Sequence, residues 1–273
     1  MGMDQVPVNP PIEVYAERQV DPLGTIALPT RDHISASTVT SLLMTDFRWA
    51  GKRPLTRVIV EGSQLPLQRN EAVHRMQGDW IIFIDDDMVF GKSAIGDLVA
   101  TYNQLREQVE EPIILGGLCV RRAWPHQPTL YSRQGDGGFN FIEDWEGDVI
   151  EVDATGAAFY LIEKRVFEAI MGGVMPPLEE RDNLKPWPYY EWRGVMGEDL
   201  RFCNTAQTAG ARIFVDTRIR VGHLSERPVD IKDFWKAVAE RPAEVTHARR
   251  KQNEAMGLLT LDQEGAIERL RAG

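Results

Sequence analysis

The run Trp80-Ile81-Ile82-Phe83-Ile84-Asp85-Asp86-Asp87 decides how this chain is read. Five consecutive apolar residues leave no polar face, the pattern of a strand covered on both sides within a parallel sheet. The run then breaks into three aspartates. In an open α/β sheet, ligands bind outside the carboxyl ends of the strands, and Asp85 opens such an end. Adjacent carboxylates repel, so something has to offset the cost. While the chain stays extended its side chains alternate, which puts Asp85 and Asp87 on one side and Asp86 on the other. Two hard oxygen donors on one side suit Mn²⁺ or Mg²⁺. The plain alternative is a solvated acidic turn in which Asp87 caps the next segment.

Outward from this run the pattern alternates. Thr25 to Thr30 reads as a first strand and Arg31 to Met44 as a helix with Ile34, Val39, Leu42 and Leu43 on its apolar side. Arg57 to Gly62 reads as a second strand, Glu71 to Met76 as a short helix, and Lys92 to Val109 as a longer one. Strand–helix alternation predicts an α/β fold over the first 110 or so residues. Further on, Pro112 to Val120, Thr129 to Ser132, Phe139 to Ile142 and Val149 to Asp153 read as strands between Gly- and Asp-rich turns. A helix Glu163 to Ile170, a Pro-rich loop Lys185 to Trp192, a helix from Gly197 to Gly210 and a strand Arg212 to Val215 follow. From Asp230 the tail reads as helical, with Ile231, Phe234, Trp235 and Val238 at i, i+3, i+4, i+7.

Composition bounds the function. The 273 residues carry 31 Lys and Arg against 41 Asp and Glu, a net charge of −10, which disfavours broad polyanion binding. Two cysteines, Cys119 and Cys203, make no disulfide framework and fit a reducing compartment. Met1 to Val20 has no apolar core of the kind a signal peptide needs, and no apolar run approaches the ~20 residues of a membrane span. A soluble, cytoplasmic protein is expected.

Ile82-Phe83-Ile84-Asp85-Asp86-Asp87-Met88 resembles the Asp-x-Asp motif of nucleotide-sugar glycosyltransferases with the GT-A fold, in particular glycosyltransferase family 2. Other segments match in the family's order: Ala27 to Arg31, Gln68 to Val73, Asp153 to Ala158, Gly197-Glu198-Asp199-Leu200, and Val221-Gly222-His223-Leu224. The resemblance runs from about Thr25 to Leu224. It implies a GT-A-like (Rossmann-like), mostly parallel central sheet flanked by helices, a small antiparallel element on the acceptor side and a helical C-terminal tail. It places one domain at 1–229, with a nucleotide-binding part at about 24–110 and an acceptor part at about 111–229, and the tail at 230–273.

The implied reaction moves a sugar from a nucleoside-diphosphate sugar (UDP, GDP or dTDP) to an acceptor hydroxyl. Asp87, Asp85 and His223 are the implied ligands of Mn²⁺ or Mg²⁺, and Asp85 also the ribose contact; Asp86 is the least defined of the three. Pro29, Thr30, Arg31, Glu61 and Arg69 are the implied donor contacts, since guanidinium forks suit phosphate oxygens. Gly156 lies in the segment near the acceptor. Asp199 is the implied general base if the reaction inverts, which the Glu-Asp motif favours, with Glu198 in support, both in the first turn of a helix whose dipole favours ionised acids. The late His223 also has counterparts in retaining members, so the stereochemistry is left open. Trp187, Tyr189, Tyr190 and Trp192 crowd the loop before that base, and Trp192 is the first choice for a sugar contact. Trp124 and His126 are further acceptor-side candidates.

A nucleotidyltransferase of similar fold is the enzyme alternative, although Pro29-Thr30-Arg31-Asp32-His33 lacks the glycines of its phosphate loop. A catalytically inactive sugar- or partner-binding module is the other, and it would lack the acids that stand here. The acceptor (protein, glycan, small molecule or modified nucleic acid) is left open. The tail either packs on its own chain or forms a homodimer contact.

Overall fold

A computed structural model describes residues 21–239 apart from 136, 182–183, 193–195 and 226–227. The first 20 residues and the predicted tail beyond 239 lie outside the described residues.

In chain order the elements are β1 (Gly24–Thr30), α1 (Ala36–Leu43), β2 (Leu55–Glu61), α2 (Leu65–His74), β3 (Trp80–Ile84), β4 (Met88–Val89), α3 (Ala94–Arg106) and β5 (Ile113–Cys119). Then come β6 (Leu130–Arg133), β7 (Phe139–Phe141), β8 (Val149–Glu151), β9 (Ala154–Thr155), β10 (Phe159–Glu163), α4 (Lys164–Met171) and α5 (Leu178–Arg181). The described chain ends with α6 (Glu198–Thr208), β11 (Arg212–Leu224), β12 (Pro228–Val229) and α7 (Ile231–Ala239).

The large sheet has the order β12-β11-β5-β10-β3-β1-β2, with β4 and β8 also pairing to β11. β2, β1, β3, β5 and β11 run in one direction, and β10 is inserted antiparallel between β3 and β5. The expected mostly parallel α/β sheet is therefore present, with one reversed strand in its centre. β7-β6-β9 form the small antiparallel element.

β3 explains its own composition. Ile81 and Phe83 face a core that includes α2, α4, α6 and α7, whereas Trp80, Ile82 and Ile84 face a second core built on α3. Each fully buried aliphatic side chain contributes about 1.5–3 kcal/mol, which no polar residue on either face would supply. α7 docks on the first core through Ile231, Phe234 and Val238, and the Phe234 ring stacks on Trp145 at 6.3 Å. The packing of this part of the tail is thus within the chain.

Four points of the sequence reading need correction. α1 starts at Ala36, capped by Ser35, whose hydroxyl accepts from the Thr38 N–H at 3.0 Å. Its buried residues are Thr38 and Ser41, while Leu43 is 81% exposed and Val39 is also exposed. The helix packs against the turn after β3, whose polar backbone needs partners: Thr38 Oγ1 donates to the Asp86 carbonyl and Ser41 Oγ accepts from the Phe90 N–H. α2 begins six residues before the predicted start at Glu71, and β10 was not anticipated as a strand at all. β3 ends at Ile84 and residues 86–87 form a turn, so side-chain alternation does not carry through the aspartates.

Among the described residues, no helix is long and apolar enough to cross a membrane.

Candidate active site

The carboxyl ends of β1, β2 and β3 open onto a cavity of about 600 Å³. Pro29, Thr30 and Arg31 line it from the end of β1, and Asp85, Asp86 and Asp87 from the end of β3. Arg122 and His223 complete it on the far side. All three aspartates face this one space, against the alternation expected for an extended chain. Thr30 Oγ1 donates to Asp86 Oδ2 at 2.8 Å, which fixes Asp86 beside the first strand.

His223 arrives through sheet pairing. β4 and β11 are antiparallel with His223 opposite Met88, and Leu224 N–H donates to the Asp87 carbonyl at 2.9 Å. His223 Nε2 then lies 3.3 Å from Asp87 Oδ2, and Arg122 Nη1 lies 2.8 Å from the same oxygen. Burial opposes ionisation of Asp87. The His223 hydrogen bond and the charges of His223 and Arg122 outweigh it and hold the carboxyl below the usual carboxylate range.

Asp85 is held differently. Its Oδ1 accepts from Arg69 Nη2 at 2.8 Å. Burial pushes its carboxyl upward, Arg69 opposes that, and the neighbouring charge of Asp87 adds to it. Among the described residues, no three acid, histidine or cysteine groups converge on one point. The expected three-ligand set is therefore not assembled. Asp87 and His223 form a pair of hard-oxygen and imidazole donors that fits a divalent cation, and Asp85 is turned toward arginine instead.

Arg69 is 1% exposed within α2. Its Nη1 donates to Glu198 Oε1 at 2.5 Å, so its fork is spent on two carboxylates rather than left free for phosphate. Glu198 and Asp199 open α6 as expected. Burial raises the Asp199 carboxyl above its ordinary range, and the adjacent Glu198 charge raises it further.

A second cavity of about 710 Å³ adjoins the first, and both touch Gly62, Ser63 and Gln68. Glu61 and Trp192 line it. The aromatic loop divides: Trp192 (62% exposed) and Trp187 are open to solvent, while Tyr189 and Tyr190 belong to the core. Tyr190 stacks on Phe202 at 4.3 Å, so packing claims it rather than a sugar. Gly156 is buried where an added Cβ would come within 3.0 Å of the Thr129 side chain, a close-approach position. Trp124 and His126 stand edge to face, 5.7 Å apart, on a surface loop.

Sequence reading missed Arg122 and the pair Gln68 and Asn70. Arg122 follows the end of β5, so the strand-end rule applied to that strand would have found it. Gln68 and Asn70 fall before the predicted helix start at Glu71, and nothing local marks them.

The family model for glycosyl transferase family 2 matches residues 49–163, which include Glu61, Arg69, Asp85 to Asp87 and Gly156. Among solved structures, A197 from STIV aligns with TM-score 0.51 at 16% identity, over 77% of this chain and 90% of that one. The chain has a GT-A-like fold and resembles glycosyl transferase family 2. S. aureus TarS 1-349 aligns with TM-score 0.40 at 13% identity, over 79% of this chain and 63% of that one. The same TarS fragment in complex with UDP-GlcNAc gives 0.41 and 14%, over 79% and 64%. No match was found among curated proteins. The family 2 match supports glycosyltransferase activity for this GT-A-like chain. It stops before Glu198, Asp199 and His223, which only the fold brings to the same region.

Proposed function

We propose that the chain transfers a sugar from a nucleoside-diphosphate sugar to an acceptor hydroxyl, with inversion. The observation that carries this is the single cavity shared by Thr30, Arg31, the three aspartates and His223 at the carboxyl ends of the parallel strands. In this reading Pro29, Thr30 and Arg31 bind the nucleotide, Glu61 borders the base or ribose, and Asp85 faces the ribose. Asp87 and His223 would hold Mn²⁺ or Mg²⁺. Such a cation supplies Lewis-acid stabilisation of the departing diphosphate. Arg31 and Arg122 add fixed positive charge against the same diphosphate. Asp199 takes the proton of the acceptor hydroxyl as the new glycosidic bond forms, and Trp192, which donates to Glu198, offers an apolar ring face. A cytoplasmic location belongs to this proposal; both cysteines are free and buried, which fits a reducing compartment.

The test is a screen of UDP-, GDP- and dTDP-sugars for nucleoside diphosphate release with Mn²⁺ or Mg²⁺. Turnover is expected with one donor class and is expected to fall by about 100-fold or more in Asp87→Ala. Unchanged turnover in that variant would remove the metal assignment. Asp199→Asn should keep donor binding and lose transfer, and full transfer by it would remove the base assignment.

A further inference from the structure

We infer that Arg69 is a positioning residue that ties the donor carboxylate Asp85 to the base-bearing end of α6, with Trp192 as the outer end of the same relay. This rests on the donor reading above. The geometry is a chain of four side chains from four segments. Asp85 Oδ1 accepts from Arg69 Nη2 at 2.8 Å, and Glu198 Oε1 accepts from Arg69 Nη1 at 2.5 Å. The other Glu198 oxygen accepts from Trp192 Nε1 at 3.1 Å. Asp85 follows β3, Arg69 lies in α2, Glu198 opens α6 beside Asp199, and Trp192 ends the Pro-rich loop.

Several features separate this from an ordinary ion pair. The guanidinium is nearly sealed from water, its Nε has no hydrogen-bond partner among the described residues, and it lies 5.8 Å over the Tyr190 ring. A planar fork buried between two carboxylates transmits displacement, because neither partner can move without leaving a buried charge uncompensated. The neighbouring residues of α2 hold the surrounding walls. Gln68 Nε2 donates to the carbonyls of Thr30 and Gly62, at the ends of β1 and β2. Asn70 exchanges two hydrogen bonds with the Tyr190 backbone, at 2.9 and 2.8 Å. Gln68-Arg69-Asn70 therefore fixes the donor cavity, the base helix and the aromatic loop from one turn of helix. A ligand that engages Asp85 acts on Glu198 through one side chain, and on Trp192 through two.

The experiment follows tryptophan emission on titration with UDP, GDP and dTDP, with nucleotide binding measured separately by calorimetry. Trp192→Phe identifies the part of the signal that belongs to Trp192. In the wild type, nucleotide binding is expected to change the Trp192 emission. Arg69→Met would leave two carboxylates without their buried partner and threaten folding, so Glu198→Gln is the primary variant: it keeps the volume and the acceptor for Trp192 but breaks the charge pair. It is expected to bind nucleotide within about threefold of wild type, to lose the Trp192 response and to lower kcat by about 100-fold, the cost of a small misplacement at a reacting centre. Arg69→Lys, which keeps the charge without the fork, should also lose the response. Wild-type kcat and Trp192 response in Glu198→Gln would overturn the inference while leaving the donor reading intact. No nucleotide binding by the wild type would remove both.

Discussion

Asp199 carries the sharpest residue-scale consequence. Burial first, and the Glu198 charge second, raise its carboxyl above the usual range. In its proposed role as base Asp199 works only when ionised, so activity should disappear as pH falls through this raised value. The acid limb of the kcat profile should thus stand above the ~3.9 of a free aspartate. Removing the like charge with Glu198→Gln should move that limb to lower pH even as kcat falls. A limb that stays in place would mean another group controls it. Asp87 has the opposite bias, held low by His223 and Arg122 against its burial. Two carboxylates with environments pushed apart suit one as a proton acceptor and the other as a permanently charged partner. Sequence reading proposed a role for each residue and named Glu198 beside Asp199, but not Arg122, which reaches Asp87 only across the fold.

At the scale of elements, α2 is the one that local pattern undersold. Its first residues, Leu65 to Asn70, carry the polar contacts that hold three neighbouring segments, and the apolar periodicity used to find helices does not register them. Asn70→Ala would leave the Tyr190 N–H and C=O unpaired in the core. At about 1–3 kcal/mol for each orphaned buried group, the loss should come to about 2–6 kcal/mol in a urea titration. α1 shows the reverse error. Its apolar residues suggested a buried face, yet its polar residues are the ones buried, because the turn of Asp86 needs hydrogen-bond partners. β10 escaped notice because Phe159 to Ile162 follows a glycine-containing segment without a break, and only pairing to β3 and β5 defines it.

At the scale of the molecule, stability depends on links between distant elements. Asp216 in β11 accepts from Thr101 Oγ1 of α3 at 2.7 Å and from Arg218 Nη2 at 2.7 Å. Burial opposes its charge, and the Arg218 and Thr101 hydrogen bonds outweigh burial to hold its carboxyl low. The folded value lies below the unfolded one, so its contribution is present above the unfolded value and is lost as pH falls through the folded one. Asp216→Asn should therefore lower Tm more at pH 7 than at pH 3. An equal loss at both would assign the effect to shape rather than charge. α7 gives a second check: Phe234→Ala should cost about 3–5 kcal/mol and alter emission from the adjoining Trp145, as expected for a helix docked on the core.

The sequence by itself determined the α/β class, the doubly covered strand β3, the acidic strand end and the docking face of α7. Each is a local pattern, set by which residues lose water when a strand or helix is covered, and each is written in consecutive or periodic positions. Tertiary structure alone decided the rest. It paired β4 with β11 and so put His223 on Asp87, and it ended β3 early enough for all three aspartates to face one cavity. It also spent Arg69 on Asp85 and Glu198 instead of leaving it to phosphate. These contacts join residues far apart in the chain, and a buried charge takes whichever partner the packing leaves within reach, which no spacing along the sequence records.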